Sequence, residues 1–72
     1  MTEREKEIKE LEAFFNSIII PTIPIQLNKA VTLSNADYFI KHNLEQMKSG
    51  QMVEVNLIPR LEDLRILKKL LS

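Results

Sequence analysis

Two prolines three residues apart, Pro21 and Pro24, do most to decide what this chain can fold into. Each lacks the backbone N–H that a helix interior requires, and each ring crowds the preceding turn. Helix cannot run through the middle of the chain, so the two sides must be read separately and then packed together. With 72 residues in total, the pieces are short and form one domain with one core. A core this small rarely supplies more than about 3–5 kcal/mol, and such domains often lean on disulfides, metals or a partner. Cysteine is absent and histidine occurs once, at His42, which excludes disulfides, thiolate chemistry and multi-histidine metal sites. Helix packing and self-association are the stabilisers that remain.

Three segments carry helical periodicity. Ahead of the prolines, Ile8, Leu11, Phe14 and Phe15 form one apolar stripe, and the spacing predicts a helix over about Glu3–Asn16. Thr2 and Glu5 stand at capping-box spacing at its start. Glu5 with Lys9, and Lys6 with Glu10, stand four apart as helical ion pairs do. A second helix is predicted from Asn35 or Ala36 to Ser49, with Ala36, Phe39, Ile40, Leu44 and Met47 inward. Ser34 and Asp37 have capping-box spacing there, and Gly50, the only glycine, stands where a left-handed helix terminus is needed. A third helix is predicted over about Leu57–Leu71 with Asn56 as N-cap, which puts Pro59 in the first turn, where its missing N–H costs no helical bond.

Between the first two helices, Ile23, Ile25 and Leu27 alternate with polar or proline positions, and Val31 and Leu33 alternate after Asn28-Lys29-Ala30. Val53 and Val55 alternate about Glu54 in the same way. The expected form of these stretches is extended arms laid over the helices. A short hairpin is the alternative, since the turn lacks the Asn-Gly or Asp-Gly of a strong hairpin signal. The expected fold is therefore mainly α: a compact three-helix domain with an extended proline-containing segment between helices one and two, packed around Phe14, Phe15, Phe39, Ile40, Leu44, Leu61 and Leu64. An α+β form with a small hairpin is the alternative.

The order of motifs resembles a small bacterial domain family of unknown function. Leu11-Glu12-Ala13-Phe14-Phe15, Pro21 with Pro24-Ile25-Gln26-Leu27-Asn28, Phe39-Ile40 with Leu44, and Arg60-Leu61 with Leu64 carry the resemblance. Such families place a histidine beside the leucine of helix two, where this chain has Asn43 preceded by His42. The resemblance implies no activity.

Ten basic and ten acidic residues cancel, so the chain lacks the basic excess of a dedicated nucleic-acid binder. No apolar run reaches the ~18 residues of a membrane span, and Met1 to Glu7 is unlike a signal peptide. A cytoplasmic location is the resulting expectation. His42 has Tyr38 and Glu45 within one turn, a spacing that can orient a general base. No nucleophile or second histidine accompanies it, so a solvated histidine is the expected reading. Glu3, Glu7 and Glu10 share a face and read as a solvated acidic surface rather than a cation site. Glu62 and Asp63 are adjacent and so point about 100° apart, which excludes a carboxylate dyad. Pro21-Thr22-Ile23-Pro24 has the spacing of a proline-rich ligand, but its isoleucines suggest that it is tucked against the core.

Arg60, Arg65, Lys68 and Lys69 form a candidate basic patch on the last helix, although leucines and isoleucines fill the places where base-reading polar side chains belong. The more informative feature is an apolar surplus on that helix, which wraps more than one face. Ile66, Leu67, Leu70 and Leu71 are the candidate partner contacts. The first helix carries net charge −2 and the third +2, an attraction that can act within one chain or between two. The expected function is a non-enzymatic protein-interaction or oligomerisation module, without cofactor or metal and possessing a protein partner or a second copy as ligand. A nucleic-acid accessory role through the basic patch is the alternative.

Overall fold

A computed structural model describes residues 2–72. Its elements are α1 (Glu3–Asn16), β1 (Ile25–Asn28), β2 (Val31–Leu33), α2 (Ala36–Ser49) and α3 (Glu54–Leu71). The three helices pack pairwise on one another, and β1 lies against α3. The fold is mainly α with a short antiparallel hairpin.

The helix ends follow from local chemistry. At α1, the Glu5 amide donates to Thr2 Oγ1 at 3.1 Å while the Thr2 amide reaches Glu5 Oε1, so the capping box forms as expected. At α2 the cap is Asn35, whose Oδ1 accepts from the Tyr38 amide at 3.1 Å. The expected Ser34–Asp37 box does not form, because Asn35 stands one residue nearer the first turn and an asparagine side chain meets the free N–H equally well. Gly50 ends α2 at φ 74°; its amide bonds the Met47 carbonyl and that of Gln51 bonds Gln46, the paired closure of a Schellman motif.

Helix α3 departs most from expectation. It begins three residues before Leu57, with Val53 rather than Asn56 at the N-cap and no side-chain cap. The amides of Asn56 and Leu57 both bond to the Val53 carbonyl, so Val53 and Val55 are not strand. Glu54 in the first turn complements the helix dipole and pairs with Arg4 of α1. Pro59 consequently lies inside the helix. The bond it forgoes is to the carbonyl of Val55, an exposed residue, where solvent can take the place of the missing N–H.

Between Ile25 and Leu33 the chain forms a hairpin in place of the extended arms. Ile25 pairs with Leu33, Gln26 with Thr32 and Asn28 with Val31, and an irregularity lies between Gln26 and Asn28. The turn dispenses with Asn-Gly because Asn28 supplies the bonding itself, its Oδ1 accepting from the amides of Ala30 (2.9 Å) and Val31 (3.1 Å). Gly50 is the one residue with positive φ among those described, so the hairpin is closed by a bulge and a side chain rather than by a left-handed turn. Leu27, at the bulge, is the buried anchor of the hairpin.

The core draws on every helix. Leu11 of α1, Ile40 of α2, and Leu64 and Leu67 of α3 are its largest fully buried side chains. Phe15, Leu44 and Leu61 are buried as expected, whereas Phe14 and Phe39 are half-buried at its margin. The proline segment divides: Ile18 and Ile20 pack on the core, while Ile19 and Ile23 lie exposed.

Candidate functional site

The last helix carries two apolar stripes. Leu57, Leu61, Leu64 and Leu67 recur every three or four residues and face the core. At 100° per residue, Val55, Pro59, Ile66 and Leu70 fall on the roughly opposite side, with Ile58 on the flank. Val55 is 75% exposed, Ile58 53% and Leu70 53%, while Ile66 is half-buried. Isolated surface apolar residues need no explanation, but a row of them along the outer side of one helix does.

The candidate contacts Ile66, Leu67, Leu70 and Leu71 are thus separated by the structure. Leu67 is 0% exposed and belongs to the core, because its position continues the row Leu57–Leu61–Leu64. It is not a surface contact. Leu71 and Ile66 are both half-buried and pack against the core, so Leu70 alone of the four is an exposed residue of the outer side. Val55 and Ile58 join it at the other end. Val55 escapes the sequence reading because a helix starting at Leu57 leaves it outside, whereas Ile58 lies inside that span as part of the apolar surplus without being among the candidate contacts. The acidic residue Glu54 ahead of an apolar pair was the available signal for an earlier start.

The candidate basic patch is not one surface. Arg65 lies against α1, donating from Nε and Nη2 to the two carboxylate oxygens of Glu7 at 2.6 and 2.7 Å, and from Nη1 to Glu62 at 3.1 Å. The bidentate Arg65 guanidinium holds the Glu7 carboxyl below the usual carboxylate range, and Glu7 in turn raises the arginine. Lys68 sits 5.7 Å from the centre of the Phe14 ring. Arg60 turns the other way, pairing with Asp63 at 3.3 Å and lying 5.8 Å over the Phe39 ring of α2. Lys69 makes no ion pair among the described residues.

The acidic face of α1 is spent on its neighbours rather than on itself. Glu7 goes to Arg65 of α3 and Glu12 to Lys48 of α2 at 2.6 Å. Among the described residues, the expected pairs Glu5–Lys9 and Lys6–Glu10 do not form, and Glu5 is instead held in the Thr2 cap. The opposite charges of α1 and α3 therefore meet within one chain. No group of three or more metal-capable side chains occurs among the described residues.

His42 stacks on Tyr38, ring centres 5.5 Å apart and planes 9° from parallel, on the exposed side of α2. No hydrogen bond or ion pair links it to Glu45 among the described residues. The buried polar residue of this helix is its neighbour Asn43, whose Nδ2 donates to the Phe39 carbonyl at 2.7 Å. Sequence periodicity had not marked it, because asparagine is counted polar wherever it falls. The Pro21–Pro24 stretch bends at Thr22 and Ile23, so it does not present the continuous polyproline II helix that such ligands need. No helix among the described residues is long and apolar enough to cross a membrane.

Comparison with known proteins places this arrangement in a family without assigning it an activity. No curated protein and no solved structure matches the chain. The sequence model for a domain of unknown function, DUF6965, matches residues 6–72, nearly all of α1 and everything after it, and the chain belongs to that family.

Proposed function

We propose that the domain is a non-catalytic protein-interaction or oligomerisation module whose contact surface is the outer side of α3. The observation that carries the reading is the exposure of Val55 and Leu70, with Ile58 on the flank, along an 18-residue helix whose other side is already committed to the core. Burying such a row recovers about 25 cal/mol for each Å² of apolar surface removed from water. A rigid helix also loses little conformational freedom on binding. A cytoplasmic setting forms part of the same proposal.

The non-catalytic part rests on how the titratable groups are used. The two with displaced pKa values, Glu7 and Arg65, displace each other in an interhelical ion pair, and His42 is stacked on a surface tyrosine. A nucleic-acid role draws no support from the geometry. Arg65 and Arg60 are already engaged by carboxylates, and they lie on different sides of α3.

Affinity capture from the native cell, run in parallel with Val55→Glu and Leu70→Glu, tests the reading. Proteins held by the wild type, whether other copies of the chain or different proteins, should be lost from both variants. The same set retained by all three, with helical circular dichroism intact, refutes the outer side of α3 as the contact.

A further inference from the structure

The first turn of α3 is weakly committed to the rest of the fold. Val53, Glu54, Val55 and Asn56 are all exposed, so their helical form buries nothing in the core, which α3 enters at Leu57. No side chain caps the turn, and the amides of Asn56 and Leu57 share one acceptor, the Val53 carbonyl. A start at Glu54 also sets Pro59 inside the helix, where its ring crowds the Val55 carbonyl and offers it no N–H. Valine and asparagine are indifferent helix formers and add little of their own.

The same sequence offers a second start at Leu57. Asparagine ranks among the best N-cap residues, and the Asn56 side chain in that role accepts from the amide two residues ahead, that of Ile58. Pro59 then stands in the first turn, where no helical bond is asked of it. The two starts exchange bonds almost evenly. Moving from the longer helix to the shorter gives up the helical bonds of the Leu57 and Ile58 amides, regains one of them at Asn56 Oδ1, and relieves the crowding at Pro59. Leu57 is helical in both, so the core is untouched.

Against this exchange, the longer helix has Glu54. Its carboxylate lies at the positive end of the helix dipole and pairs with Arg4 of α1, which ties the first turn to the rest of the molecule. We infer that α3 has two interchangeable starts, Glu54 and Leu57, and that the Arg4–Glu54 ion pair is the latch that holds the longer one. Both partners are open to solvent, so salt weakens the latch. Val55 belongs to the outer side of α3 only while the latch is closed. The device goes beyond the interaction reading and stands whatever contacts that side.

Backbone chemical shifts and amide hydrogen exchange, measured by nuclear magnetic resonance on the whole chain, read the two starts residue by residue. In the wild type, Glu54, Val55 and Asn56 should show smaller helical shifts than residues 61–68. They should lose more of them in about 1 M salt, where the screening length is about 3 Å. Arg4→Gln opens the latch from α1 without altering α3. It should move the ratio of long to short start by roughly two- to fivefold, the worth of an exposed ion pair. The Ile58 amide separates a second start from simple fraying. Bonded to Asn56, it stays protected in Arg4→Gln and loses that protection when Asn56→Ala is added. Pro59→Ala should give the three residues full helical shifts and make them insensitive to salt. All variants should keep native circular dichroism, since every substituted residue is exposed. Full helical shifts at the three residues in the wild type, unmoved by salt and by Arg4→Gln, overturn the inference. An Ile58 amide that exchanges freely once Arg4 is replaced overturns it too, because the turn then frays without a second start.

Discussion

Glu7 shows how much of this molecule depends on single side chains that reach between helices. Its carboxylate receives two hydrogen bonds from Arg65, the only bidentate ion pair among the described residues, and both residues are partly open to solvent. Solvent screening limits such a pair to roughly 0.5–1 kcal/mol. Because the folded-state pKa of Glu7 is lowered, the pair stabilises the fold above the ordinary glutamate value of about 4.3. That contribution disappears as pH falls through the lowered value. Glu7→Gln should cost roughly 0.5–1 kcal/mol at neutral pH and leave stability less dependent on pH below about 4.3, read from urea unfolding at several pH values. An undiminished acid dependence in the variant would assign it to other carboxylates. Leu67 is the contrasting case. Its sequence position groups it with the candidate contacts, yet it is fully buried. Leu67→Ala should cost about 2–5 kcal/mol, a large share of the stability of a domain this size, whereas Leu70→Ala should cost little; thermal melts of the two variants compare them directly.

At the level of elements, the chain was most legible where a local rule and the tertiary structure demand the same residue. Gly50 is the clearest instance: it closes α2 at positive φ with nothing within 4 Å of where a Cβ would stand. Gly50→Ala should therefore meet no clash and cost about 1–2 kcal/mol through the left-handed backbone alone, measurable as a lower urea midpoint with an unchanged slope. A loss far beyond that would point to a packing role the geometry does not show. Helix α1, bounded by Thr2 and Asn16, and the span of α2 were equally readable. The start of α3 was not, because asparagine before an apolar run imitates an N-cap, while the real start at Glu54 has no side-chain cap to signal it. The hairpin was legible only as an alternative. Its turn is built on the Asn28 side chain and a bulge, and neither has a fixed two-residue signature. That single misplaced helix start also kept Val55 off the candidate surface, since Val55 joins the outer side only when α3 is three residues longer.

For the molecule as a whole, composition narrowed the stabilising forces to helix packing and self-association, and the placement of charge bears on both. Glu12 and Glu7 of α1 draw in Lys48 of α2 and Arg65 of α3, so the opposite charges of α1 and α3 meet inside one chain at Glu7–Arg65. With Glu54 included in α3, the charge of that helix falls from +2 to +1, and electrostatic attraction between copies weakens accordingly. What remains unsatisfied is apolar: the row from Val55 to Leu70 on a helix whose inner side is already buried. Sequence showed that α3 had more leucine and isoleucine than one face could hold, but only the helix register distinguishes the surplus from the core. Sedimentation velocity over low to high micromolar concentration, on the wild type and on Val55→Glu and Leu70→Glu, tests self-association through this side most directly. Oligomerisation there predicts a dimer fraction that grows with concentration in the wild type and vanishes in both variants, whose circular dichroism stays native. A wild type that remains monomeric throughout, or variants that dimerise as the wild type does, would contradict it.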